Sequence, residues 1–308
     1  MNPITQKKIY GYEDLFSLFI KLQNIDKMPN KIILSGPKGI GKSTFAYHFI
    51  NYILSKNEAE KYNIDKFEIN EKNRSFNLVK NLIHTNFFLI DLLEDKKFID
   101  ITQIRNAIEY AQKTSLDNNT KFILIDNIEF LNKNSVNALL KLLEEPNDKL
   151  NFILIHNNRK EILKTLKSRC IIFKKHFSFD ETLKISNILI NDNNFFLNND
   201  IINNYSTIGD LRHLHSFSVK NDLDISKTTL KSLIEYLLDY KNLKKEPDVL
   251  YMLNNLIQCY IYRSFVCSKN ENFFLLHKYF TKKMDDIIKF NLDVDSFFIE
   301  FRKKILNG

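Results

Sequence analysis

The stretch Gly36-Pro-Lys-Gly-Ile-Gly-Lys-Ser-Thr44 constrains the fold more than any other part of the chain. It matches the pattern Gly-x-x-x-x-Gly-Lys-Ser/Thr at every fixed position. Backbone N–H groups can cradle phosphate oxygens only where glycines allow positive φ and close approach. The lysine of such a loop reaches the β- and γ-phosphates, and the hydroxyl after it binds Mg²⁺. The sequence therefore predicts a site for ATP or ADP at Gly36, Pro37, Lys38, Gly39, Ile40, Gly41, Lys42, Ser43 and Thr44.

The residues on either side of this loop have the patterns of a strand and a helix. Lys31–Ser35 is a short β-branched apolar run, as expected of a buried strand. After the loop, apolar residues recur at helical spacing at Phe45, Phe49, Tyr52 and Ile53. A chance match in a surface loop is the alternative. The order strand, glycine loop, helix favours the nucleotide site.

Further short aliphatic runs alternate with helical segments along the first half of the chain. They predict four more strands, at Phe87–Ile90, Phe122–Ile125, Phe152–Ile155 and Ile171–Phe173. Strands that alternate with helices in this way indicate an α/β fold, a parallel sheet with helices on both faces. We expect residues 100–103 to form a capping box, Asp117-Asn-Asn119 to break that helix, Asn134 to cap the next one and Pro146 to end it.

The alternation of strand and helix ends near residue 174. Beyond it the sequence reads as short helices and then longer ones, with a strong apolar stripe from Val249 to Tyr260. We therefore predict three domains: an α/β domain over 1–174, a small helical lid over 175–224 and a helical domain over 225–308. Residues 55–83 show no chemistry that can be assigned.

Composition excludes several classes of protein. Three scattered cysteines, Cys170, Cys259 and Cys267, are too few for a disulfide scaffold or a four-cysteine zinc site. No apolar run approaches the ~20 residues needed to span a bilayer, so we expect a cytoplasmic protein without a membrane partner. The net charge of +8 permits contact with nucleic acid, but a solvated basic surface explains it equally well.

Asp126 is the candidate magnesium ligand beside Ser43. It follows the apolar run Phe122–Ile125, where phosphate-loop proteins place the carboxylate that holds Mg²⁺. Ordinary turn chemistry at a strand end is the alternative. The next residue is Asn127, whose amide cannot accept a proton from an attacking water as a carboxylate does. The sequence thus predicts nucleotide binding with little or no hydrolysis by this chain alone.

Two further segments bring a family into view: Asn134-Ser-Val-Asn-Ala-Leu-Leu-Lys-Leu-Leu-Glu-Glu-Pro146 and Lys164-Thr-Leu-Lys-Ser-Arg-Cys170. With the loop and Asp126, they resemble the AAA+ subunits of the bacterial DNA polymerase III clamp loader. The resemblance is strong over residues 9–175. It implies an AAA+ domain followed by a small lid and a C-terminal collar that joins the subunits.

The resemblance also implies roles for single residues. The arginine of Ser168-Arg169-Cys170 would reach across a subunit interface to the γ-phosphate of a neighbour's ATP, where a guanidinium suits the developing charge. His156-Asn157-Asn158 would hold a polar sensor of the γ-phosphate, although loop polarity explains it equally well. Arg212 is the candidate for a second sensor, but Asp210 departs from the family's usual Gly-Ser-x-Arg pattern there.

Within this family the chain is most similar to the delta-prime type. Asn127 replaces the motor subunit's glutamate, and no cysteine of a zinc module lies between positions 44 and 126. Some delta-prime subunits carry such a module and a degenerate loop, and this chain departs from both. The implied partners are the motor and delta-type subunits and, through the complex, the sliding clamp and primer-template DNA. An ATP-hydrolysing motor, a P-loop nucleotide kinase and a scaffold with a vestigial site remain alternatives.

Overall fold

The computed structural model describes residues 2–93, 96–113, 120–145, 149–158, 161–190, 198, 200–203, 205–240, 242–243, 246–269, 271–290 and 292–306. Two predictions concern residues outside these ranges, namely the helix break at 117–119 and the helix stop at Pro146. The described chain divides into two compact units, Met1–Glu181 and Thr182–Gly308. Each unit is described separately below.

A five-stranded sheet forms the centre of the first unit. Its strands, in chain order, are β1 Lys31–Ser35, β2 Phe87–Ile90, β3 Lys121–Ile125, β4 Leu150–His156 and β5 Ile171–Lys174. They lie in the order β2-β3-β4-β1-β5, and all four neighbouring pairs are parallel. Because the strands are parallel, the loops that follow β1, β2, β3 and β4 all lie at one edge.

Helices connect the strands and cover the sheet. In the first unit they are α1 Glu13–Asn24, α2 Lys42–Leu54, α3 Arg74–Lys80, α4 Ile101–Gln112, α5 Lys133–Glu144 and α6 Lys164–Lys167. Every residue of β3 is buried, as expected of a strand covered on both faces. The α/β prediction and all five predicted strands are confirmed.

Two predicted helix caps are wrong. The side chain of Asp100 precedes α4 but makes no capping hydrogen bond, so the expected capping box does not form. The cap of α5 is Asn132, not Asn134, because the Asn132 side chain accepts from the backbone N–H of Ser135 at 2.9 Å. The first error is a missing hydrogen bond at a correctly placed helix start, and the second is a shift of two residues where several polar residues compete to bond the first N–H groups.

The second unit is helical. It contains most of α7 Phe179–Ile190, then α8 Ile208–Lys220, α9 Leu230–Leu238, α10 Pro247–Ser268, α11 Glu271–Phe290 and α12 Asp295–Phe301. One hydrophobic cluster runs through it from Ile201 to Leu306. The boundaries proposed near residues 174 and 224 stay predictions. Among the described residues, none of these helices is both long and apolar enough to cross a membrane.

Candidate functional site

The glycine loop joins the end of β1 to the start of α2 through a tightly constrained backbone. Gly39 and Gly41 have φ of 85° and 91°, a region that L-residues adopt at a cost. At Gly36 a Cβ atom would lie only 2.3 Å from the carbonyl oxygen of Lys175. The first glycine is thus required by a close approach of two backbones, and the others by backbone conformation.

Lys42 lies at the first position of α2 and is 3% exposed. Its ammonium group donates to the carbonyl oxygens of Gly36 and Pro37, at 2.9 and 2.6 Å. Burial lowers the pKa of Lys42 to about 8, while the carboxylates of Asp126 and Glu129 act in the opposite direction. The Lys42 amine is therefore hydrogen-bonded to the same loop that is predicted to bind phosphate.

Ser43 and Asp126 meet although 83 residues separate them in the chain. The Ser43 hydroxyl donates to Oδ2 of Asp126 at 2.6 Å. Burial raises the pKa of Asp126 to about 6, and the charge of Asp91 adds to the rise, whereas the bonds from Ser43 and Asn127 oppose it. A hydroxyl and a carboxylate side by side are hard oxygen donors, so this pair fits the coordination that Mg²⁺ prefers.

Asn127 connects the polar ends of three neighbouring strands. Its backbone N–H donates to Asp126 Oδ1 and its side-chain amide to Asp91 Oδ1, both at 2.8 Å. Its amide oxygen accepts from Nδ2 of Asn157, again at 2.8 Å. Asn127 itself has φ of 57°, which asparagine tolerates better than most residues. Position 127 therefore carries an amide that is hydrogen-bonded through both its nitrogen and its oxygen.

The three residues predicted as a polar sensor have different partners. Asn157 is the one that meets Asn127, and its backbone N–H also donates to Glu129 Oε2 at 3.4 Å. Ser35 Oγ lies 3.0 Å from Nδ1 of His156 and donates to Oδ1 of Asn158 at 2.9 Å. Asn157 thus joins the carboxylate cluster. Arg212, the second-sensor candidate, lies on α8 in the other unit.

Arg169 lies away from the loop of its own chain. It precedes β5, and β5 runs parallel to β1 with Ile171 opposite Ile32 and Lys174 opposite Ser35. The loop begins beyond Ser35, at the other end of these strands. Because a strand rises ~3.3 Å per residue, about 10 Å of strand lies between the two ends even before the loop and Arg169 are counted. The structure therefore brings the glycine loop and Asp126 together through Ser43 and places Arg169 at the other end of the strand pair.

The guanidinium of Arg169 makes bonds within its own chain. Nε donates to Oε1 of Glu144 at 2.9 Å, and Nη2 contacts the same oxygen. Nη1 donates to the carbonyl oxygen of Thr165 at 3.1 Å and to the hydroxyl of Ser168 at 3.2 Å. About a third of the side chain remains exposed. The group is ordered yet accessible.

Three contributors to these sites carry no assigned role in the sequence analysis. Asp91 follows β2 as Asp126 follows β3, and the rule that the carboxyl ends of parallel strands meet at one edge could have found it. Tyr12 is buried beneath the loop and donates from its hydroxyl to the Ile40 carbonyl oxygen at 3.2 Å. Glu144 is 25 residues from Arg169, and nothing in the sequence pairs them.

Comparison with known proteins places these features in one family. A family model described as "DNA polymerase III, delta subunit" matches residues 11–177, more than half of the chain. A DNA polymerase III subunit delta' of Pseudomonas aeruginosa is 30% identical over 139 residues, which covers 45% of this chain and 40% of the relative. Another delta' subunit, from Buchnera aphidicola (subspecies Schizaphis graminum), is 34% identical over 54% of this chain and 49% of its own.

The gamma subunit of the same Buchnera is also similar, at 29% identity over 59% of this chain and 48% of the relative. Across these three proteins, this chain spans about half the length of the relatives that it matches. The matched region includes the whole glycine loop, Asp126 and Arg169.

Proposed function

This chain belongs to the DNA polymerase III delta subunit family, and from that premise we propose that it is a delta-prime-like subunit that supplies Arg169 in trans. In this proposal a neighbouring motor subunit holds ATP at an interface with this chain. The guanidinium of Arg169 neutralises charge that develops on the transferred phosphoryl group. The assembled complex then loads a sliding clamp onto primed DNA.

The observation that carries the proposal is the position of Arg169 in the sheet. It precedes β5, whereas the loop follows β1, so the two lie at opposite ends of a parallel strand pair. An arginine there serves no phosphate bound to its own loop. Since it is partly exposed, a phosphate from another subunit can approach it.

The nucleotide site of the chain itself is proposed to bind ATP or ADP with Mg²⁺. Residues Gly36 to Thr44 would cradle the phosphates with backbone N–H groups, and the α2 N-terminus would face them. Ser43 and Asp126 would hold the ion, which when bound neutralises phosphate charge. Lys42 would exchange its two carbonyl partners for phosphate oxygens.

Hydrolysis at this site is expected to be slow. The amide of Asn127 occupies the position after the magnesium ligand, and both ends of that amide are engaged by Asp91 and Asn157. An amide cannot take the proton of an attacking water. In this proposal the chain binds nucleotide for structural purposes, and the neighbouring subunit hydrolyses the ATP that it holds itself.

The second candidate function is that of an ATP-hydrolysing motor subunit. The similarity to a gamma subunit and the intact Lys42, Ser43 and Asp126 geometry favour it. Steady-state ATP turnover by the purified chain, lost on Lys42→Ala, would establish this role. Binding of ADP without turnover, also lost on Lys42→Ala, supports the delta-prime-like role.

Clamp loading with the Arg169→Ala variant tests the trans role. The loader is reconstituted with the motor and delta-type subunits of the same organism, and clamps are counted on primed circular DNA. We expect loading to fail with Arg169→Ala and to remain normal with Arg105→Ala, which removes an exposed arginine of α4. Normal loading with both variants contradicts the proposal.

A further inference from the structure

Glu144 ends helix α5, and its carboxylate holds one edge of the Arg169 guanidinium. Nε and Nη2 both point to the same oxygen of Glu144. The opposite nitrogen, Nη1, is bonded to Thr165 and Ser168 of the preceding turn. All three nitrogens of the group are therefore fixed to two different elements of the chain.

Both attachments rest on the buried core of the first unit. Leu142 and Leu143 of α5 belong to the same hydrophobic cluster as Leu166 and Cys170, which precede and follow Arg169. Leu143 is 1% and Leu166 2% exposed. Since packed cores deform little, the backbones that carry Glu144 and Arg169 keep a fixed separation. The buried core thus fixes the geometry of the ion pair, even though the pair itself lies at the surface.

We propose that Glu144 is the positioning residue that orients the guanidinium of Arg169 for the phosphate of the neighbouring subunit. An exposed arginine samples many rotamers, and transition-state stabilisation requires one of them. Glu144 selects one rotamer of Arg169 by bonding to its Nε and Nη2 atoms. The guanidinium is therefore already oriented when the neighbour's nucleotide approaches. This role rests on the proposed function of Arg169 in trans.

Ordinary surface pairing is the competing explanation. Exposed ion pairs contribute little to stability, and a carboxylate near an arginine needs no function. A pair that serves only the fold would be insensitive to the state of a neighbouring subunit. The two explanations therefore differ in kinetics, specifically in kcat, and in whether the effect of Glu144 depends on Arg169.

The test is the ATPase rate of the reconstituted loader, stimulated by clamp and primed DNA, with Glu144→Gln. This variant keeps the size of the side chain and removes its charge. We expect kcat to fall roughly 10- to 100-fold through misorientation. The KM for ATP should stay unchanged, since Arg169 is proposed to act in the transition state and not in ground-state binding. Glu144→Asp, which keeps the charge, should recover part of the loss.

Two comparisons separate failure of this inference from failure of the proposed function. Glu145→Gln, the same change one residue further along, should leave kcat at the wild-type value. In the double variant Arg169→Ala/Glu144→Gln, the rate should equal that of Arg169→Ala alone, because Glu144 acts only through Arg169.

Three outcomes overturn the inference. The first is a wild-type kcat with Glu144→Gln while Arg169→Ala is inactive, which leaves the proposed function standing. The second is a faster ATPase rate with Glu144→Gln, which would mean that the ion pair inhibits Arg169 and does not orient it for catalysis. The third is a kcat of the double variant that is lower than the kcat of Arg169→Ala alone. If Arg169→Ala itself has no effect, the proposed function fails and the role of Glu144 fails with it.

Discussion

His48 shows how a single buried side chain connects the N-terminal segment to α2 in the first unit. It lies on α2 and is fully buried, with Nε2 donating to the carbonyl oxygen of Gln6 and Nδ1 bonded to the Tyr62 hydroxyl, each at 2.9 Å. Burial lowers its pKa from 6.5 to about 4. The ring is therefore neutral in the folded chain under conditions where the unfolded chain is protonated.

This difference predicts a loss of stability in mild acid. Because the folded pKa is the lower one, the stabilisation is complete above pH 6.5 and is lost as the pH falls towards 4, by up to about 3 kcal/mol. Urea unfolding at pH 7 and pH 4.5 measures it. His48→Gln keeps a donor and an acceptor without titrating, so its stability should fall less over this interval. Equal losses in the two proteins would contradict the assignment.

Asn127 gives a second prediction at the same scale. In Asn127→Glu a carboxylate would face Asp91, and the residue would keep a φ of 57° that glutamate adopts poorly. We expect a loss of about 1–2 kcal/mol in the free energy of unfolding and no gain of ATPase activity. The double variant Asp91→Asn/Asn127→Glu restores an amide–carboxylate pair and should recover part of that loss. A destabilisation unaffected by the second change would count against this geometry.

Among the helices of the second unit, Arg263 of α10 connects to the segment that precedes α8. Nη1 contacts the carbonyl oxygen of Asp200 and donates to its carboxylate at 2.8 Å, and Nη2 donates to the Ile202 carbonyl at 2.6 Å. The same Asp200 carboxylate accepts from the backbone N–H of Leu230, the first residue of α9. Arg263 and Asp200 together thus connect α10, the segment before α8 and the start of α9.

We expect Arg263→Met to lower the free energy of unfolding of the helical unit by about 2–3 kcal/mol. The reason is that it leaves the carbonyl groups that Arg263 bonds without a hydrogen-bond donor. Arg302→Met is the matched control. Arg302 pairs with the exposed Asp239 at 2.6 Å, and such a surface pair contributes ~1 kcal/mol or less. Denaturant unfolding followed by circular dichroism compares the two. Equal effects would show that Arg263 is an ordinary surface arginine.

The strands and helices were predictable where the chain buries apolar residues on a regular period. β3 is buried throughout, and its residues Phe122–Ile125 appear in the sequence as an unbroken apolar run after Lys121. β4 begins two residues earlier than predicted, since Leu150 and Asn151 pair with β3 and the polar Asn151 hides the start of the strand. The cap of α5 was misplaced by two residues for a similar reason, because Asn132 and Asn134 are chemically equivalent in the sequence.

The candidate site was predictable where one local motif contains it. Residues Gly36 to Thr44 and Asp126 follow from spacing and strand order. The contact of Asp91 with Asn127 and that of Glu144 with Arg169 depend on which elements lie side by side, over 36 and 25 residues. A single sequence does not reveal such pairs, so they emerged only from the structure.

For the molecule as a whole, we propose that this chain completes an active site that lies on a neighbouring subunit. The decisive measurement is the DNA- and clamp-stimulated ATPase of the reconstituted loader with wild-type or Arg169→Ala chain, and with the chain alone as control. We predict no ATP turnover by the chain alone and a fall of ~10³-fold or more at the neighbouring site with Arg169→Ala. Turnover by the chain alone, together with an unchanged loader rate for Arg169→Ala, would contradict it.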